Sequence, residues 1–121
     1  MKPITILRKK AKRGDQGFPR ATLAFYGPDD KKGTKAVLGI FLREGDDPTI
    51  HRYFSDDKDV RFKVEVQQSI VARLNEHDVK TLIMREELFG CPHEEGIDYP
   101  EGEACPKCPF WKVRDRYAAL E

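Results

Sequence analysis

The chain has 121 residues, of which 39% are apolar and 36% are charged, and its net charge at pH 7 is +1. A chain of this length can bury one core without disulfides. Its composition is that of a soluble globular protein and not of a disordered one, and no apolar run is long enough to cross a bilayer. The sequence therefore predicts a single soluble domain over residues 1–121, with no membrane association.

The N-terminal sequence MKPITILRKKAKRG lacks the long apolar centre and the small-residue cleavage site of a signal peptide. The chain has three cysteines, and an odd number cannot all pair within one chain. Both features favour a reducing compartment, and we expect a cytoplasmic protein.

The first 20 residues carry seven lysines and arginines against one acid, Asp15. The run ITIL at residues 4–7 has strand-like composition, so residues 1–20 are predicted to form a basic N-terminal strand or tail. Such a run can be a solvated edge, or it can contact nucleic acid or an acidic partner. The candidate contact residues are Arg8, Lys9, Lys10, Lys12 and Arg13.

Three strands are predicted next. ATLAFY (residues 21–26) and KAVLGIFL (residues 35–42) flank a polar connection that contains glycine and proline, which is typical of a hairpin. TIHRYF (residues 49–54) alternates in a third strand, with Ile50, Arg52 and Phe54 on one face and His51 and Tyr53 on the other.

A helix and a returning strand follow. The spacing of Val66, Ile70 and Leu74 predicts one helix over about residues 58–76, preceded by aspartates that suit a helix N-terminus. Residues 60–66 also alternate as a strand would, so tertiary contacts must decide between helix and strand there. His77 would lie at its C-terminal end, and VKTLIMRE (residues 79–86) would rejoin the sheet. Residues 21–87 are therefore predicted to form an α+β core: a small, mostly antiparallel sheet of about four strands with one packed helix.

This order of strands, helix and returning strand resembles the opening of ribonuclease H-like folds. That resemblance implies acidic residues on the first strand, on the helix and at the end of the returning strand. ITIL has none, and only Glu65 and the pair Glu86 and Glu87 remain. The activity of that family is therefore not predicted for this chain.

All three cysteines lie in one segment with a histidine. Cys105 and Cys108 form a C-x-x-C knuckle, and Cys91 and His93 supply a second pair, with 11 residues between His93 and Cys105. Soft thiolates with one imidazole select zinc or iron, and Cys3His is a recognised structural zinc set. Residues 88–114 are therefore predicted to bind one Zn²⁺ per chain in a C-terminal loop, with an iron–sulfur centre as the competing interpretation.

Two enzymatic interpretations compete with a structural site. HEE and CPKC are similar to the H-x-E and C-x-x-C elements of zinc deaminases, a resemblance that implies Glu95 as the proton shuttle. Cys91 would then close the coordination position that water needs. CPKC also resembles the C-P-x-C motif of glutaredoxin-like proteins, but it lies near the end of the chain and Pro109 follows it.

Aromatic residues follow the knuckle. Phe110, Trp111 and Tyr117 alternate with basic residues, so Trp111 is a candidate nucleic-acid or partner contact, with packing over the metal site as the alternative. His51 and His77 are expected on the strand surface and at the helix end. The leading functional prediction is a non-enzymatic binding or adaptor module with a structural zinc site, for nucleic acid or protein. The alternative is a small metal-dependent hydrolase or nuclease with Glu95 as acid/base.

Overall fold

The computed structural model describes residues 2–29, 31–90, 92–93 and 97. In this part of the chain, two α-helices and one short 3₁₀ turn accompany a four-stranded sheet. The elements in chain order are α1 (Pro3–Lys12), β1 (Arg20–Tyr26), β2 (Lys35–Phe41), β3 (Thr49–Phe54), the 3₁₀ turn (Val60–Phe62), α2 (Val64–Glu76) and β4 (Thr81–Leu88). The predicted α+β class is confirmed.

The sheet has the strand order β3-β2-β1-β4. The predicted hairpin is confirmed, with β1 and β2 antiparallel and Leu23 opposite Leu38. β3 pairs antiparallel with β2 along its outer side. β4 is parallel to β1, because the chain crosses over through α2 before it rejoins the sheet. The sheet is therefore mixed.

The predicted strand at residues 4–7 is wrong, because these residues belong to α1. Pro3 stands in the first turn, where its fixed φ suits a helix and its missing N–H costs nothing. Ile4, Leu7 and Ala11 follow at helical spacing and face the core. Over the residues that the structure describes, two helices pack on the sheet where the sequence predicted one.

The second helix is shorter than predicted at its start. Asp59 accepts a hydrogen bond from the backbone N–H of Arg61 and so caps the 3₁₀ turn, and Lys63 is then extended. α2 therefore begins at Val64. Its end agrees with the prediction, since His77 is the C-cap and Asp78 takes a left-handed conformation with φ +52° that stops the helix.

Both helices pack on one face of the sheet. Leu7 of α1 and Ile70 and Leu74 of α2 join Leu23 and Leu82 of the sheet in one buried cluster. The opposite face exposes large apolar side chains on its two outer strands, namely Ile50, Phe54 and Ile83. Across the described residues, no helix combines the length and apolar character that a membrane crossing requires.

Candidate functional site

The chain that leaves β4 is fastened to the sheet before it reaches the predicted metal segment. The N–H of Phe89 donates to the carbonyl of Phe25 at 2.8 Å, and the N–H of Gly27 donates to the carbonyl of Gly90 at 2.9 Å. The ring of Phe89 also meets the ring of Tyr26 edge-on, with centroids 6.0 Å apart. Backbone and side-chain contacts therefore hold this segment against β1.

A buried lysine continues this attachment. The ammonium of Lys35 on β2 donates to the carbonyl oxygen of Pro92 at 3.0 Å, and it lies 5.9 Å from the ring centre of Phe54. Lys35 is only 4% exposed. A buried ammonium is costly unless its N–H groups donate hydrogen bonds, so the bond to the carbonyl of Pro92 is favoured. It holds Pro92, the residue before His93, against the sheet.

Most of the predicted metal site lies outside the described residues. This applies to Cys91, Cys105 and Cys108, and also to Glu95, Phe110, Trp111 and Tyr117. His93 is described, and it is the residue after Pro92, whose carbonyl accepts the hydrogen bond from Lys35. Within the described ranges, no group of three or more metal-ligating side chains is present. The Cys3His set therefore stays a prediction.

The five predicted basic contact residues lie on α1 or at its C-terminal end. The guanidinium of Arg8 donates to both carboxylate oxygens of Glu86 on β4, with distances from 2.6 to 3.2 Å. Arg8 is thus engaged in tying α1 to β4. The other four form no ion pair with any described residue; they are Lys9, Lys10, Lys12 and Arg13.

The charge distribution of α1 explains why these four cations lie together. α1 has no acidic residue in its first turn, and Lys9, Lys10 and Lys12 occupy its last turn, where the dipole favours positive charge. Lys9, Lys10 and Arg13 also border a groove of about 260 Å³ between α1 and α2. Apolar side chains of both helices form its floor. The result is a positively charged surface on a packed helix.

The carboxylates that ribonuclease H-like chemistry would need do not come together. β1 has no acidic residue. Glu65 lies in the first turn of α2, and Glu86 is the partner of Arg8. The structure therefore gives no reason to add that activity to this chain.

One charged pair was not anticipated from the sequence. The guanidinium of Arg61 binds the carboxylate of Asp59 at 2.6 Å, and it also donates to the carbonyls of Glu86 and Lys31. Burial raises the pKa of Asp59, but hydrogen bonds from Arg61 and from the N–H of Gly33 outweigh it and hold that pKa below its ordinary value. This pair ties the β1–β2 connection to β4.

His51 is also more enclosed than a strand-surface residue would be. It lies on the face of β3 that is turned toward α2, and its Nε2 atom is buried. The alternation of β3 correctly predicted that His51 and Tyr53 share a face, but not that this face is turned toward α2. The polar side chains that α2 places opposite it became visible only in the fold.

Comparison with known proteins returned no match: no family model, no curated protein and no solved structure is significantly similar to this chain.

Proposed function

We propose that this protein is a zinc-binding, non-enzymatic module with a structural Cys3His site, and that it contacts nucleic acid through the basic surface of α1. The observation that carries the nucleic-acid contact is the group of four cations without an ion-pair partner among the described residues, namely Lys9, Lys10, Lys12 and Arg13. Leu7 anchors the helix that presents them.

The zinc part of the proposal depends on the ligand chemistry of the C-terminal segment. Cys91, His93, Cys105 and Cys108 would supply three thiolates and one imidazole, which fill a tetrahedral site. With four protein ligands, no coordination position is open for water, so the proposed role is structural. The contact between Lys35 and Pro92 supports it, since it holds the chain beside His93 against the sheet.

The nucleic-acid part depends on electrostatics that do not read sequence. Exposed lysines and arginines contact phosphates, and each phosphate contact releases bound counterions. The logarithm of the binding constant then falls with the logarithm of salt concentration, by about 0.9 per phosphate on a duplex and about 0.7 on a single strand. Four contacts would therefore give a slope of roughly 3 to 4.

A salt series with labelled DNA and RNA tests this. Fluorescence anisotropy of the full chain should show binding that weakens with salt. A variant with Gln in place of Lys9, Lys10, Lys12 and Arg13 should lose most of the salt dependence. The slope of log binding constant against log salt should fall by about one unit per residue that contacts phosphate. A matched control replaces four exposed cations elsewhere with Gln, and these are Lys31, Arg43, Lys58 and Arg85. The control should keep both the affinity and the slope.

Two results would contradict the proposal. The absence of binding to duplex and single strand at low salt would remove the nucleic-acid contact and favour a protein partner. Equal losses in the two variants would show attraction by net charge alone. Thermal melting of both variants is required, because last-turn cations also stabilise α1 by roughly 0.3–1 kcal/mol each.

A further inference from the structure

A second polar site lies at the outer edge of the sheet, between β3 and α2. It is a groove of about 620 Å³. His51 and Tyr53 of β3 line it together with Ser69, Ala72, Arg73 and Glu76 of α2. This groove is remote from the basic surface of α1, because α1 packs against α2 and β4 and β4 is at the opposite edge of the sheet.

The groove exists because one face of α2 does not pack on the sheet. Residues 69, 72, 73 and 76 have the spacing that places side chains on a single helix face. A packed face would carry large apolar side chains at these positions, as α2 does at Ile70 and Leu74 in the core. Here the residues are polar or small, and Ser69 and Ala72 leave open volume opposite β3.

His51 gives this space a specific polar group. Its Nε2 atom is buried and has no hydrogen-bond partner in the described part of the chain. A buried polar atom that lacks a partner is costly, and native structures rarely leave one without a role. A ligand in the groove would supply the missing partner.

Arg73 gives the same space positive charge. Its guanidinium lines the groove with Tyr53 and pairs with Glu76 at 3.3 Å, while its side chain is still 43% exposed. Burial lowers the pKa of His51, and the charges of Arg73 and His77 lower it further against the opposing effect of Glu76. The imidazole is therefore neutral at pH 7 and can donate through Nε2–H.

We propose that this groove binds a small oxyanion, a phosphate or carboxylate group, through the guanidinium of Arg73 and the Nε2–H of His51. The guanidinium of Arg73 lines the groove together with the imidazole of His51 and supplies the positive charge that an anion needs. The planar guanidinium fork matches either oxyanion. Tyr53 stays protonated, because burial raises the pKa of its phenol, and it adds a neutral hydroxyl.

NMR of the histidine rings in the full chain tests this proposal. Sodium phosphate and sodium acetate are titrated separately against sodium chloride at equal ionic strength. A bound anion stabilises the imidazolium, so the pKa of His51 should rise by about half a unit or more, with saturable ring shifts. The same titrations of the Arg73→Gln variant serve as the reference, since the anion should have no effect on His51 there. A response to one anion alone assigns the ligand class, and a response to both assigns the shared oxyanion chemistry.

Three variants make the test decisive. Arg73→Gln should abolish the response of His51, Arg85→Gln on the far strand should keep it, and Glu76→Gln should tighten binding several-fold by removing the competing carboxylate. A shift of His51 that survives Arg73→Gln, or that sodium chloride produces to the same extent, overturns the proposal. If Arg73→Gln fails to fold, the comparison of Glu76→Gln with wild type decides, and unchanged or weaker binding overturns the proposal.

Discussion

The Nζ atom of Lys35 lies 3.0 Å from the carbonyl oxygen of Pro92. The two residues are 57 positions apart in the chain, and their hydrogen bond joins the second strand of the sheet to the segment that carries His93. A buried cation thus positions one end of the proposed metal site.

Lys35→Met should weaken zinc retention while the sheet persists. Methionine fills similar volume but cannot donate a hydrogen bond to the carbonyl of Pro92. The position of His93, the next residue, would then be less well fixed relative to the sheet. Residues that orient metal ligands are worth roughly tenfold or more in affinity, and we expect about a tenfold lower chelator concentration for half-release of zinc. Lys31→Met, at an exposed lysine, is the control. Equal chelator midpoints for wild type and Lys35→Met would contradict this role.

The four proposed zinc ligands should be equivalent. Elemental analysis should find one Zn²⁺ per chain, and Cys91→Ser should lose metal and stability as severely as Cys105→Ser, because each removes one of four ligands. Glu95→Gln should keep zinc and the folded state. The structural role would be wrong if Cys91→Ser kept its zinc and Glu95→Gln abolished a hydrolytic reaction while sparing the fold.

The pair of Asp59 and Arg61 should make stability depend on acid pH. The pKa of Asp59 is lower in the folded state than in the unfolded state, so its stabilising contribution is complete above the unfolded pKa, about 3.9. That contribution is lost as pH falls through the folded pKa. Urea unfolding between pH 7 and pH 2 should show a smaller loss of stability in Asp59→Asn than in wild type, the remainder coming from Asp15, Asp29 and Asp57, whose pKa values are also lowered.

The same variant has an expected cost at neutral pH. The side chains of Asp59 and Arg61 are 16% and 14% exposed, so Asp59→Asn leaves a largely buried guanidinium without its counter-charge. We expect a loss of about 3 kcal/mol in the free energy of unfolding. Asp46→Asn, in the exposed pair with Arg43, should cost below about 1 kcal/mol. Equal costs for the two variants would refute this assignment.

Leu7 should be the anchor of α1. Its side chain is buried against α2 and the sheet, so Leu7→Ala should cost about 2–5 kcal/mol in the free energy of unfolding. Ile6→Ala, at the exposed neighbouring position, should cost below about 1 kcal/mol. If residues 4–7 formed a strand, alternation would place Ile4 and Ile6 together on one face and Leu7 on the other. A larger cost at Ile6 than at Leu7 would therefore argue against the helix.

Much of the sheet could be predicted from local pattern. Strands β1, β2 and β3 agree with the alternation and turn residues of the sequence, and the two faces of β3 were assigned correctly through His51 and Tyr53. The ITIL segment was misassigned because four residues cannot distinguish a strand from a helix. The longer spacing of Ile4, Leu7 and Ala11 contains the helical period.

Parts of the candidate sites could not be predicted, because they depend on contacts between distant positions. No local pattern shows that Arg8 would be engaged by Glu86 while its four basic neighbours would form no ion pair with the described residues. The groove beside His51 likewise requires the packing of α2 over β3. In the sequence, the residues that α2 contributes to this groove have the pattern of an ordinary exposed helix face.

The amino-acid sequence alone determined the identity of the proposed zinc ligands, the basic character of the N-terminal segment and the order of the hairpin, third strand, second helix and last strand. Residue type and short-range spacing carry this information. Tertiary structure decided that β4 is parallel to β1, that α1 is a packed helix, that Lys35 holds Pro92 and that His51 faces Arg73. These features depend on which distant segments pack together, since burial and charge pairing are settled only when the whole core has formed.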